Sequence, residues 1–235
     1  MKILVCIHTY RFQHRLSWML SSILQQEGDI PKITVSISHT DNDGTPTTKE
    51  VCDFFRGEGL DIEEIILTEE EVKNRAIARN KQVKECKSDW ILFADSDMVY
   101  DKDFFADLKL QLSTNLKDEK RCMGADRISL DIPFCLEYFK NDTRIYPCVI
   151  ENVADVVSKW PVKWIRGKGT APGNFQLASI QAINEKGGKY SWKQKDLWRR
   201  TKADRMFRVI MGRIGINVKK QYHLNHDRDG QSTQR

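Results

Sequence analysis

The chain has 235 residues, of which 40% are hydrophobic, and it carries a formal net charge of +5 and six cysteines. This length predicts one domain of ordinary size with enough apolar sequence to build a core. No apolar stretch approaches the length of a transmembrane helix, and the scattered cysteines form no C-x-x-C pair. The composition therefore argues against a membrane span, a disulfide framework and a zinc site, and it favours reduced thiols in a cytoplasm.

Short apolar runs alternate with segments of helical periodicity along the chain. They predict strands over 2–7, 33–38, 62–67, 90–94, 121–125, 145–150 and 216–224. They also predict helices over 14–27, 47–56, 68–86, 102–114, 179–186 and 203–211. The last of these helices has Met206, Val209 and Ile210 on its inward face, and the aromatic segment 131–142 has no clear period. The alternation predicts an α/β fold with a central, mostly parallel sheet flanked by helices.

The run over 90–94 is short, continuous and apolar, as in a buried strand, and it stops at Asp95, Ser96 and Asp97. Ligands of open α/β sheets bind at the carboxyl ends of strands. Two carboxylates one residue apart at such a place can hold Mg²⁺ or Mn²⁺ together with diphosphate oxygens. The alternative is a turn with two solvated aspartates, which is the commoner meaning of an isolated D-x-D.

Polar residues also follow the first two predicted strands. Thr9, Tyr10 and Arg11 come after the first, in a loop above the sheet. The second ends in an acidic, amide-rich loop that contains Asp41 and Asp43, which can bind the base and ribose of a nucleotide through hydrogen bonds. Taken alone, the loop is better explained as a local turn, because Asn, Asp and Gly favour turns.

Three later segments supply further candidates. Arg75 and Arg79 are four residues apart and share a helix face, which either is solvated or offers Arg79 and Asn80 to a ligand. The glycine-rich stretch 164–175 is either a linker or a mobile lid. Asp204 stands in the first turn of a helix, where an aspartate is also a common stabilising choice.

In their order and spacing, these features resemble a GT-A-fold glycosyltransferase of the family-two kind, which transfers a sugar from a nucleotide-sugar donor. The similar segments are 7–11 with 22–26, 41–45, 76–80, 95–97, 172–175, 203–208 and 223–226. Two positions depart from the family pattern. Pro172 replaces the usual first glycine of a G-G-N segment, and Ala203 replaces the usual glutamate before Asp204.

The resemblance implies one GT-A domain over 1–226 with a polar tail over 227–235. It implies a nucleotide-diphosphate sugar donor, with UDP preferred, and Mn²⁺ or Mg²⁺ held by Asp95, Asp97 and His226, with His223 as the competing ligand. It further implies that donor-binding residues surround this metal. They are Thr9, Tyr10, Arg11, Asp41, Asp43, Arg79, Asn80, Asp95, Ser96, Gly173 and Asn174.

The implied reaction is inverting transfer to an acceptor hydroxyl, with Asp204 as the general base. The acceptor stays open among a glycan, a lipid-linked sugar, a protein and modified DNA. The basic C-terminal part suits a phage-type enzyme that glycosylates modified DNA bases in a host cytoplasm. Ala203 keeps open a binder of nucleotide sugars or glycans that has lost catalysis. A nucleotidyltransferase is disfavoured, because no glycine-rich phosphate loop follows the first strand.

Overall fold

The computed structural model describes residues 1–166, 175–190 and 200–225. The helices are α1 (Gln13–Leu24), α2 (Thr48–Gly57), α3 (Arg75–Glu85), α4 (Phe104–Ser113), α5 (Ile132–Asn141), α6 (Val153–Ser158), α7 (Ile180–Glu185) and α8 (Arg200–Met211). The strands are β1 (Lys2–His8), β2 (Lys32–His39), β3 (Ile62–Ile66), β4 (Trp90–Asp95), β5 (Met98–Tyr100), β6 (Cys122–Ala125), β7 (Arg127–Leu130), β8 (Val162–Arg166), β9 (Phe175–Ser179), β10 (Arg213–Ile216) and β11 (Gln221–His223).

Seven strands form the larger sheet, in the order β10-β6-β9-β4-β1-β2-β3. Strand β1 lies between β2 and β4 and is parallel to both, and β3 continues this parallel half. Strand β9 runs antiparallel between β4 and β6. A second sheet of four strands has the order β5-β11-β7-β8. The predicted α/β class with a central, mostly parallel sheet is confirmed.

The larger sheet is buried on both faces, which explains why β1 and β4 read as continuous apolar runs. Ile3, Val5 and Ile7 of β1 join a cluster with the inner side of α1. The alternate residues Leu4 and Cys6 join a second cluster, to which α3, α7 and α8 contribute. Helices on both faces leave the ends of the strands as the place where polar side chains can gather.

Helix α1 also covers the second sheet, through the buried indole of Trp18. Its ring centroid lies 5.3 Å from that of Trp160 and 5.6 Å from those of Tyr138 and Phe139. Such aromatic contacts fix the orientation of two elements as well as burying area. Among the described residues, no helix combines the length and apolarity needed to cross a bilayer.

Four sequence predictions need correction, and one segment without an assignment contains a helix. The strand predicted over 145–150 is absent. Pro147 offers no amide hydrogen, and the backbone of Ile150 bonds to the side chains of Ser21 in α1 and of Gln25 directly after α1. The strand predicted over 216–224 is interrupted, because Ile216 ends β10, residues 217–220 are not in a strand, and β11 covers only Gln221–His223. The unassigned aromatic segment 131–142 contains α5, which Asp131 caps at its N-terminus.

The helix predicted over 68–86 is interrupted at Asn74. Thr68 and Glu71 do form the reciprocal capping bonds, but only a 3-10 turn follows them. The backbone of Asn74 is extended, and its side chain accepts a hydrogen bond from the amide of Ala76, so α3 begins afresh at Arg75. On α8, the inward residues are Phe207 and Met211, whereas Met206 and Val209 are exposed.

Candidate functional site

The polar ends of three parallel strands lie side by side. In the sheet register, His8 of β1 is paired with Ser38 of β2 and with Asp95 of β4. The segments that follow these strands therefore start at one edge of the sheet, where Thr9 also bonds through its amide to the carbonyl of Ser38. This is the edge at which open α/β sheets bind ligands.

Asp97 meets an imidazole contributed by a distant part of the chain. The antiparallel pairing of β5 with β11 brings His223 opposite Met98, and Leu224 donates its amide hydrogen to the carbonyl of Asp97 at 2.8 Å. The Nε2 atom of His223 lies 3.1 Å from Oδ2 of Asp97. His223 Nδ1 is buried and has no hydrogen-bond partner within the described ranges. A carboxylate and an imidazole facing each other in this way suit a divalent cation.

Asp95 lies in a second cluster with Asp204 of α8, and two arginines of α3 bridge them. The Arg75 guanidinium approaches Oδ1 of Asp95 at 3.1 Å and Oδ2 of Asp204 at 3.5 Å. The Arg79 guanidinium lies 2.9 Å from Oδ1 of Asp204 and 3.6 Å from Asp95. One oxygen of Asp204 is thus tightly held. Among the described residues, Oδ2 has only the long contact with Arg75, beyond the usual hydrogen-bond range.

Tyr190 completes the surroundings of Asp204. Its buried hydroxyl accepts a hydrogen bond from Arg79 and lies within bonding distance of both Asp204 Oδ1 and Gln176 Oε1. Burial acts to raise the pKa of Asp204, but the charges of Arg79 and Arg75 outweigh it, and the pKa lies below its ordinary value. Asp204 is therefore an ionised carboxylate in a closely packed, charge-balanced cluster.

The two aspartates of the loop after β2 differ in burial and in hydrogen bonding. Asp43 is buried, and its carboxylate accepts hydrogen bonds from the amide and the hydroxyl of Thr48 at the start of α2. Its carbonyl also accepts a hydrogen bond from Gln13. Asp41 is exposed. Asp43 thus shapes the loop, and Asp41 is the carboxylate that a ligand can reach.

The residues after β1 line the same edge. Thr9 is buried, and its hydroxyl has no hydrogen-bond partner in the described part of the chain. The Tyr10 hydroxyl donates to Glu69 at 3.1 Å. Arg11 is exposed, with φ at +62° and its guanidinium 4.9 Å from the centroid of the Tyr10 ring. A positive φ is uncommon for a residue other than glycine and recurs at ligand sites.

The other predicted site residues have these positions. Ser96 is buried between the two aspartates. Asn80 accepts the amide hydrogen of Tyr190 at 2.8 Å, so it supports the cluster around Asp204. Gly173, Asn174, His226 and the tail over 227–235 lie outside the described residues.

The sequence did not indicate that Arg15 and Tyr190 lie near the candidate site, and it gave only a weak indication for Arg75. Arg15 of α1 is 4% exposed, and its guanidinium lies over the rings of Phe12 and Phe139 at 5.4 and 5.0 Å. Burial lowers the pKa of Arg15, while the nearby charge of Asp97 acts in the opposite direction. Tyr190 lacked any sequence signal. Arg75 was visible only through its spacing from Arg79, which a solvated face explains equally well.

Comparison with known proteins places these features in a family context. Residues 4–118 match the family described as Glycosyl transferase family 2. No curated protein sequence is similar enough to this chain to count as a relative. The matched segment runs from β1 to just beyond α4 and therefore includes Asp95 and Asp97.

Several solved structures of glycosyltransferases have a similar fold. TarS from S. aureus is 12% identical, with a TM-score of 0.64 over 95% of this chain and 36% of TarS. TarS 1–349 in complex with UDP is 11% identical, with a TM-score of 0.63 over 96% of this chain and 60% of that one. The mannosyltransferase PcManGT from Pyrobaculum calidifontis, in complex with GDP-Man and Mn²⁺, is 13% identical, with a TM-score of 0.60 and coverages of 96% and 57%.

The chain spans 36–60% of the length of these structural neighbours. At such low identity, the likeness shows the fold, and that fold is GT-A. Together with the family match, it confirms the predicted resemblance to a family-two-like glycosyltransferase.

Proposed function

We propose that this chain transfers a sugar from a nucleotide-diphosphate sugar to an acceptor hydroxyl. Its residues 4–118 match glycosyl transferase family 2, and its described residues form a GT-A fold. The observation that carries the proposal is the set of charged residues at the carboxyl edge of the sheet, where Asp97 faces His223 and Arg75 links Asp95 to Asp204. Neighbouring structures hold UDP, UDP-GlcNAc, and GDP-Man with Mn²⁺, which supports a nucleotide sugar as donor.

Asp97 and His223 are the residues that would hold a divalent cation, with Asp95 at the side of the site. A carboxylate oxygen and an imidazole nitrogen 3.1 Å apart are close to the spacing of two ligands on one ion, so these residues fit the group. A bound Mn²⁺ or Mg²⁺ would neutralise the charge that develops on the leaving diphosphate. His226 remains a proposed ligand on the resemblance alone.

Asp204 is the proposed general base for an inverting transfer. Arg79 and Tyr190 hold its Oδ1 atom, so the carboxylate cannot rotate freely. Oδ2 is the oxygen that can accept the proton of the acceptor hydroxyl. The carboxylate is ionised at neutral pH, which is the protonation state that a base requires.

The donor would lie across the ends of β1 and β2. The Thr9 hydroxyl, Tyr10 and Arg11 border this surface, and Asp41 is the accessible carboxylate for a ribose hydroxyl. Arg79 is committed to Asp95 and Asp204, so we assign it to positioning those carboxylates. Gly173 and Asn174 keep their proposed place beside the donor through the resemblance.

A binder that has lost catalysis is the second candidate. Two arginines and a tyrosine surround Asp204, which is an unusually well-paired environment for a base. Combined with Ala203 in place of a glutamate, this arrangement is also that of a carboxylate with a structural role. Donor binding without turnover would favour this candidate.

Calorimetric titration with a panel of nucleoside diphosphates, with and without Mn²⁺, tests the proposal. We expect one nucleotide, UDP by preference, to bind only with metal, and Asp97→Ala to weaken that binding at least about tenfold. Asp89→Ala is the matched control, because Asp89 precedes the same strand at its opposite end. Weakening by His223→Ala but not His226→Ala would assign the histidine. Absence of metal-dependent binding for every nucleotide would overturn the proposal.

A further inference from the structure

A histidine, a cysteine and a glutamate from three elements converge beneath the loop that follows β2. His39 ends β2, Cys52 lies in the middle of α2, and Glu64 lies in β3. One ligand atom from each lies within 4.8 Å of the other two. His39 and Cys52 are fully buried, whereas the Glu64 side chain is 14% exposed and gives the cluster an opening to solvent.

Two neighbours already orient these side chains as they would be oriented around a metal. Nδ1 of His39 lies 2.8 Å from the carbonyl oxygen of Thr40, to which it donates, and this directs Nε2 towards Glu64 at 2.7 Å. The second carboxylate oxygen of Glu64 accepts a hydrogen bond from Arg56 at 2.6 Å. Histidine ligands commonly donate their other N–H to a carbonyl, and ligating carboxylates are commonly hydrogen-bonded as well.

We propose that His39, Cys52 and Glu64 form a binding site for one divalent transition-metal ion, with Zn²⁺ as the preferred occupant. Nitrogen, sulfur and carboxylate ligands are the set that Zn²⁺ takes. Tetrahedral bonds to these atoms separate them by roughly 3.3 to 3.8 Å, so the imidazole and carboxylate need to move apart by less than about 1 Å. The sequence showed no zinc pattern, because the three ligands are 13 and 12 residues apart in separate elements.

This site is distinct from the one at Asp97, and its role would be structural. An ion held by β2, α2 and β3 would fix the point where the loop with Asp41 and Asp43 begins. It would thereby stabilise the fold whether or not donor is bound, by an amount that follows the free-metal concentration.

Cobalt substitution tests the proposal without any assay of activity. Metal-free protein is titrated with Co²⁺, and the thiolate-to-cobalt charge-transfer absorption is recorded before Zn²⁺ is added in competition. We expect one equivalent of Co²⁺ to produce this absorption and Zn²⁺ to abolish it. Cys52→Ser should remove the absorption, and Glu64→Gln should weaken Co²⁺ binding at least about tenfold.

Two controls separate this site from other metal binding. Cys122→Ser alters another buried cysteine outside the cluster, and Asp97→Ala alters the other candidate site; both should keep the absorption. The proposal is overturned if Co²⁺ gives no thiolate absorption at millimolar concentration, or if Cys52→Ser retains it. Should Cys52→Ser fail to fold, unchanged Co²⁺ binding by folded Glu64→Gln would overturn the proposal equally.

Discussion

The Asp204 carboxylate shows how paired charges set the chemistry of a single residue. An isolated buried aspartate would hold its proton more tightly, since burial disfavours the charged form. Here the charges of Arg79 and Arg75 reverse that effect, and the pKa falls below its ordinary value. A carboxylate with a lowered pKa is a weaker proton acceptor. The two arginines therefore fix the position of the Asp204 carboxylate but reduce its basicity.

Removal of Arg75 should change that balance. In Arg75→Gln, Asp204 loses one cation, its pKa rises, and the acidic limb of the pH profile of kcat/KM for sugar transfer should move to higher pH. The reason is that activity is lost as pH falls through the pKa of the base. Lys84→Gln, an exposed change on the same helix, should leave the profile in place.

Asp204→Asn provides the companion measurement. Loss of a general base should lower kcat by about 10²- to 10⁴-fold while donor binding persists. Unchanged kcat in Asp204→Asn, or an unmoved profile in Arg75→Gln, would show that Asp204 is a structural carboxylate.

Some residues of the candidate site could be identified from the sequence, whereas others could not. Asp95 and Asp97 were identifiable because an apolar strand leads directly to them. Tyr190 was not, because it acts on Asp204 through a packed core contact with Arg79, 111 residues earlier in the chain. Arg15 lies between apolar residues on a helix face for which the periodicity predicts burial in the core. The sequence does not indicate that Asp97 is close enough for its charge to act on Arg15.

At the scale of elements, the strands and helices of the parallel half followed from periodicity, whereas α5 and the break at Asn74 did not. Helix α5 packs its rings against Trp18 and Trp160 in an aromatic cluster, so no single stripe of apolar residues marks it. Thr68 and Glu71 form a valid capping pattern, but Asn74 competes for the backbone three residues later. Local hydrogen bonding by asparagine is strong enough to restart a helix.

The Asn74 cap is expected to link stability to donor binding. Asn74→Ala should lower the free energy of unfolding by about 1 kcal/mol, because the first turn of α3 loses a side-chain acceptor. It should also weaken nucleotide binding, since Arg75 is the first residue of that turn and contacts Asp95. Denaturant unfolding and calorimetry measure the two effects.

Ser179→Ala is the matched control for Asn74. Ser179 caps α7 in the same way, by accepting from the amide of Ala182, but none of its described contacts reaches the aspartates. It should cost similar stability and leave nucleotide binding unchanged. Equal effects of both variants on binding would mean that the cap acts only through global stability.

At the scale of the whole molecule, α1 joins the two sheets, and its half-buried His14 makes that junction sensitive to acid. His14 packs 5.3 Å from the ring centroid of Phe139 and 6.2 Å from that of Tyr146. Burial, aided by the charge of Arg15 and opposed by that of Asp142, lowers its pKa from 6.5 to about 4. The unfolded chain therefore binds more protons than the folded one between these two values.

Stability should accordingly fall as pH decreases from about 6.5 to about 4, by up to about 3 kcal/mol from this residue. The sign follows because a histidine with a lowered folded pKa must be neutral to pack, and that contribution is complete only above the unfolded pKa. His14→Gln, which cannot titrate, should flatten the curve of unfolding free energy against pH in this window. Denaturant unfolding at half-unit steps of pH measures both proteins, and parallel curves would show that His14 is not the source of the acid sensitivity. A flattened curve would instead locate that sensitivity at the α1–α5 contact, where both sheets share one helix.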